Sequence, residues 1–186
     1  MTEQFAMLND ETIIQEFRDT LGLHKTIIVT GDEGVGKITT SLNALRDVAN
    51  IFFFGNPLDY RGHTRPGGYE QYLDHIRKLK PDLTIIATEK EMLALAPSLL
   101  TACRATLLVD EVYGRSDVQR AKLYKLTATE GVKTVVVTGC MKNLYSLTEL
   151  VDAGLLLTGR SAIYIEGDYI RKVCRHLRPE SFSTEK

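Results

Sequence analysis

Five short apolar runs, dense in β-branched and aromatic residues, recur along the chain, each followed by a stretch with helical spacing. They are Thr26-Ile27-Ile28-Val29, Ile51-Phe52-Phe53-Phe54, Leu83-Thr84-Ile85-Ile86-Ala87, Thr106-Leu107-Leu108-Val109 and Thr134-Val135-Val136-Val137. Runs this short and this uniformly apolar suit strands buried on both faces. The helical stretches run from Lys37 to Val48, Tyr69 to Leu79 with Pro81 as the stop, Lys90 to Cys103 with a break at Pro97, Val118 to Thr129, and Leu144 to Val151. Strands alternating with helices imply right-handed crossovers and a mainly parallel sheet covered on both faces. The expected fold is a three-layer α/β/α domain.

The flanks are simpler. Asn9-Asp10 can cap an N-terminal helix, 10–21, whose apolar positions are Ile13, Ile14, Phe17 and Leu21, with Gly22 as the stop. A C-terminal β-hairpin is expected from Ala162-Ile163-Tyr164-Ile165 and Tyr169-Ile170-Arg171-Lys172-Val173, turning at Glu166-Gly167-Asp168. The polar segment 178–186 reads as a loose tail. No linker, repeat or low-complexity block divides the 186 residues, so residues 1–186 read as one domain with its core over 26–173.

Composition narrows the class. Hydrophobic residues make up 44% and charged residues 25%, as in an ordinary globular protein. The net charge of −1 gives no bulk signal for a nucleic-acid partner. No apolar run approaches the roughly 20 residues that span a bilayer. The N-terminus has no basic segment followed by an apolar one, so a signal peptide is not expected. Cys103, Cys140 and Cys174 form no metal-spaced pair and read as reduced thiols. Together these features point to the cytoplasm.

Ligands on such a sheet sit beyond the carboxyl ends of the strands. Two candidate elements fall there. The first is Gly31-Asp32-Glu33-Gly34-Val35-Gly36-Lys37, between the first strand and the first crossover helix. A polyphosphate needs many N–H donors converging near the positive end of a helix dipole. Glycines let the backbone approach closely, and a lysine adds charge near the outer phosphates. The second is the acidic pair Asp110-Glu111, closing Leu107-Leu108-Val109. Further candidates are Thr138 at the end of the fifth run, the long segment 55–68 with Tyr60, Arg61, His63 and Arg65, and Arg115 and Arg160 near strand ends, placed to act on phosphate charge.

The glycine loop resembles the Walker A motif of P-loop nucleoside triphosphatases, and Leu107 to Glu111 looks like a Walker B strand. The resemblance covers Thr26 to Val173 and points to the additional-strand, RecA-like division. It implies ATP and Mg²⁺ as ligands, with Gly31 to Lys37, Ile38 and Thr39 around the phosphates, Thr39 at the α-phosphate and Lys37 at the outer ones. It implies Asp110 as the metal residue, Glu111 as the general base and Thr138 as a sensor of the terminal phosphate. One position departs: the Ser or Thr that offers a hydroxyl to Mg²⁺ is Ile38 here, and a hard cation wants oxygen. Weaker similarity extends to pilus and secretion ATPases, through Lys37-Ile38-Thr39-Thr40 and Asn56-Pro57-Leu58-Asp59-Tyr60, which implies a homo-oligomer or larger assembly. P-loop corrinoid adenosyltransferases are similar at Val109-Asp110-Glu111 and Thr134 to Gly139, which would instead imply an ATP-using transferase. Ile38 favours a third alternative, a nucleotide-binding subunit that does not hydrolyse.

Overall fold

The computed structural model describes residues 11–59, 61–158 and 161–176. The cap at Asn9-Asp10, Tyr60, Arg160 and the tail 178–186 lie outside them. Helix α1 (Glu11–Leu23) leads into β1 (Thr26–Gly31), α2 (Lys37–Ala44) and β2 (Ile51–Phe54). Then come α3 (Tyr69–Leu79), β3 (Thr84–Ile86), α4 (Glu89–Ala94), α5 (Pro97–Ala102) and β4 (Thr106–Asp110). The chain continues with α6 (Asp117–Ala128), β5 (Lys133–Val137), a 3₁₀ segment (Met141–Leu150), β6 (Ala153–Leu157), β7 (Ala162–Glu166) and α7 (Gly167–His176).

The seven strands form one sheet in the order β3-β2-β4-β5-β1-β6-β7. All neighbours are parallel except β6 and β7, so the expected three-layer α/β/α architecture is present. Side chains alternate across each strand and divide the core in two. Ile27, Val29, Phe53, Leu108, Val135 and Leu155 pack under α1, α2 and α3, through Phe17, Leu42, Leu73 and Ile76. Ile28, Phe52, Phe54, Leu107, Val109 and Val136 pack on the opposite face, against Met92, Leu100, Leu123, Leu126, Leu147 and Ile170. No helix is long and apolar enough to cross a membrane among the described residues.

Three local expectations are corrected. The C-terminal hairpin is made by β6 and β7, and Tyr169–Val173 is helical within α7. Gly167, Ile170 and Cys174 are the buried positions there, which is helical spacing. A Cβ on Gly167 would lie 2.4 Å from the Asp152 carbonyl oxygen, so this helix start sits directly on the backbone before β6. The stretch expected as a helix from Leu144 to Val151 is a 3₁₀ segment interrupted at Tyr145, whose φ is 49°. Helix α2 ends at Ala44 instead of Val48, because Arg46 and Val48 donate to carbonyls three residues back and tighten the chain into turns.

Candidate functional site

Strands β1, β4 and β5 bring the expected site residues to one edge of the sheet. Strand β5 lies between the other two, so Gly31 and Asp110 end β1 and β4, and Thr138 directly follows the last residue of β5. The glycine loop needs its glycines for conformation. Gly31 has φ 147°, and a Cβ there would sit 2.3 Å from the Leu157 carbonyl oxygen on β6. Gly36, the N-cap of α2, is left-handed at φ 76°. A side chain would strain both. Among the described residues, no acceptor meets the backbone N–H groups of Glu33 to Thr39. The first N–H donors of α2 and those of the loop before it are thus left for a ligand or water.

Lys37 folds back over this loop. Its Nζ donates to the carbonyls of Gly31 at 2.9 Å and Asp32 at 2.8 Å. Burial lowers its pKa, while Glu111, Asp110, Asp32 and Glu33 pull the other way. Asp32, Glu33 and Gly34 are exposed, Val35 to Thr39 half-buried. Ile38 and Val35 pack onto the core beneath α2, and Thr39 carries the hydroxyl nearest the lysine in sequence.

The acidic pair is buried, each residue 4% exposed. Glu111 has φ 48°, uncommon for a residue with a side chain. That turn aims its carboxylate back along the sheet edge. Oε2 accepts from the Thr138 hydroxyl at 2.9 Å and Oε1 from the Gly139 N–H at 2.5 Å. Burial, then the neighbouring Asp110 charge, raise its pKa from 4.5 to about 7, against the two hydrogen bonds and Lys37. Thr138, expected beside the terminal phosphate, thus donates its hydroxyl to Glu111.

Asp110 is held from the far side. Its Oδ2 accepts from Arg65 Nη2 at 2.5 Å and from the Tyr72 hydroxyl. Burial raises its pKa, opposed by Arg65, the Tyr72 bond, Arg115 and Lys37. Arg65 also donates from Nε to the Asn56 carbonyl at 2.6 Å and lies 4.2 Å above the Tyr72 ring. Asn56 is buried and donates to the carbonyls of Glu111 and Tyr113. The long candidate segment 55–68 is thus anchored to the end of β4 at Asn56 and Arg65. Its Arg61 reaches Glu33 of the glycine loop at 3.4 Å.

Arg115 is placed otherwise than expected. It is buried and donates to the carbonyls of Phe54, Gly55, Asp110 and Glu111 at 3.0–3.2 Å. It ties β2 to β4, beneath the site, with burial lowering its pKa. Sequence reasoning missed Tyr72, which shares a face of α3 with Tyr69, Leu73 and Ile76, and missed that Arg65 belongs to Asp110. The helical spacing of Tyr69 and Tyr72 in a charged helix was the available signal.

The residues around Asp110 fit a magnesium ion poorly. One carboxylate oxygen, Oδ2, is taken by Arg65 and Tyr72, and Ile38 presents no oxygen. Among the described residues no group of three or more His, Cys, Asp or Glu side chains could hold a metal.

No protein-family model matches the chain, and no curated protein matches its sequence. Solved structures do resemble it. A prototypical ATPase from the type III secretion system of pathogenic bacteria shares 16% identity over 76% of this chain and 54% of its own, at a TM-score of 0.47. The VirB11 ATPase of the Brucella suis type IV secretion system, in complex with sulphate, shares 14% over 94% and 57%, at 0.46. An ATP-binding cassette of an ABC transporter, in its ADP conformation, shares 11% over 82% and 85%, at 0.47. The chain spans little more than half the length of the two secretion ATPases.

Proposed function

We propose that this protein binds a nucleoside triphosphate, with ATP the first to test, on the glycine loop, and hydrolyses it with Glu111 as the general base. The observation that carries the reading is the row of N–H groups from Glu33 to Thr39 with no acceptor among the described residues, beside Lys37 and within the electrostatic reach of Glu111. Those donors, the α2 dipole and Lys37 hold the phosphate oxygens; Gly31, Gly34 and Gly36 allow the backbone approach. The position of β5 between β1 and β4 supports placing the chain in the additional-strand division.

In hydrolysis a water oxygen forms a bond to the γ-phosphorus as the bond to the β–γ bridging oxygen breaks. Glu111 takes the water proton, and the diphosphate leaves. A carboxylate with a pKa near 7 is poised for that transfer at neutral pH, and Thr138 and Gly139 fix its orientation. Lys37 leaves its loop carbonyls for the outer phosphates. Phosphate release from ATP by Glu111→Gln is expected to fall about 100-fold or more below the parent. Equal rates reject Glu111 as the base.

A second reading is that the protein binds nucleotide without turning it over. Ile38 and the occupied Asp110 favour it. Calorimetric binding of ATP to the parent, lost in Lys37→Ala, together with no phosphate release above buffer, would select it.

A further inference from the structure

We propose that Arg65 is the built-in cation of this site: its guanidinium holds the place at Asp110 that a divalent metal would need and reaches the outer phosphates itself, so that the nucleoside triphosphate binds free of metal. This rests on the phosphate-site reading above and adds which ionic form of the ligand the site takes.

Three independent observations converge. The first is what Arg65 does with its donors. A guanidinium has five N–H groups in a planar fork. Nη2 engages Asp110 and Nε engages the Asn56 carbonyl. The two N–H groups of Nη1 meet no acceptor among the described residues. The side chain as a whole is 17% exposed. The second is what holds it there. Tyr72 lies under the guanidinium face and donates to the same Asp110 oxygen. Asn56, which anchors the chain nine residues before Arg65, is itself fixed to Glu111 and Tyr113. Through Arg61 and Glu33 the same segment touches the glycine loop, so it arches from Asp110 to the phosphate donors. The third is Ile38, an alkyl group packed on the core where a metal site would place an oxygen.

The charges agree. Magnesium demands near-octahedral oxygen ligands and gives up its waters reluctantly. Arg65 and Tyr72 already engage Asp110 Oδ2, and the guanidinium charge offsets the carboxylate's pull on a second cation. An arginine fork instead matches phosphate oxygens with paired donors and carries a permanent charge. With Arg65 in place, Lys37, Arg65 and the underlying Arg115 already face Asp110 and Glu111, with Asp32 and Glu33 beside Lys37, so the acidic pair meets its counter-charge within the chain.

The test is calorimetric titration of the full chain with ATP, once in EDTA and once in excess Mg²⁺, for the parent, Arg65→Ala and Arg65→Lys. The parent is expected to bind in EDTA at least as tightly as in Mg²⁺. In EDTA, Arg65→Ala is expected to lose about tenfold or more in affinity, and Arg65→Lys to recover only part of it, because an ammonium lacks the fork. Parent binding that is about tenfold tighter with Mg²⁺, or an Arg65→Ala affinity in EDTA equal to the parent's, overturns this inference alone and leaves the phosphate site standing. No binding by the parent in either buffer overturns the phosphate-site reading and this inference together. Should a variant not fold, the parent's two affinities decide.

Discussion

The ends of β1 and β4 stand one strand apart on the same edge of the sheet, and they are finished in opposite ways. At the end of β1 the backbone turns through left-handed glycines and leaves a row of N–H groups without acceptors among the described residues. At the end of β4 the polar atoms are largely engaged. Asp110 Oδ2 meets Arg65 and Tyr72, Glu111 meets Thr138 and Gly139, and the carbonyls of both meet Arg115. The first region leaves its donors open. The second has its own cations built in. A short local motif suffices for the first, since loop and helix are contiguous. The second is assembled from partners dozens of residues away, and its chemistry belongs to the fold.

The contrast can be broken at several points. The largest effect is expected from Gly31→Ala. A methyl group would run into the Leu157 carbonyl and force a side chain into a backbone region suited to glycine. A loss of about 3 kcal/mol is expected, read as a fall of about 10 °C in thermal midpoint. A wild-type midpoint would mean that the open loop is not held against β6 as described.

Glu111 sharpens the comparison from the other side, because its burial is a cost. Its pKa is raised from 4.5 to about 7. Between those values the unfolded chain is ionised while the folded chain keeps its proton, so unfolding releases a proton and stability falls as pH rises through that window. Glu111→Gln is therefore expected to stabilise the fold above pH 7, by up to about 3 kcal/mol, and to change little near pH 4. Denaturant unfolding at both pH values measures it. A destabilised variant at high pH would mean that the charged carboxylate is welcome where it lies.

The smallest effect is expected at Arg61. Its pair with Glu33 is exposed on both sides, and removing it by Arg61→Ala should change stability by less than about 1 kcal/mol, and less still in high salt. A larger loss would move the anchor of segment 55–68 from Arg65 to its outer tip.

Much of this was legible in the chain. Helix α3 falls on its expected bounds, and the break between α4 and α5 falls at Pro97, where a missing N–H suits a helix start. The glycine loop and Asp110-Glu111 were readable because each is contiguous and ends an apolar run. Strand β6 was not readable. Ala153-Gly154-Leu155-Leu156-Leu157 has no β-branched residue, and it is a strand because β1 and β7 pair with it on either side. Tyr169 to Val173 alternates like a strand but buries Ile170 and Cys174 on one helical face. The Arg65–Asp110 pair spans 45 residues, and no spacing rule links two residues that meet only after β2 and β4 have paired. The left-handed turn at Glu111 is hidden for a related reason. Glutamate carries no local preference for it, and the bonds to Thr138, Gly139 and Arg115 hold it there.

The claim at the centre is that amide groups on the first crossover loop receive the anion. Backbone amide NMR during titration with ATP tests it residue by residue. The largest shifts are expected at Glu33 to Thr39, with Gly34 and Gly36 foremost, and they should vanish in Lys37→Ala. Shifts confined to other parts of the chain, or a spectrum unmoved at millimolar nucleotide, would contradict it.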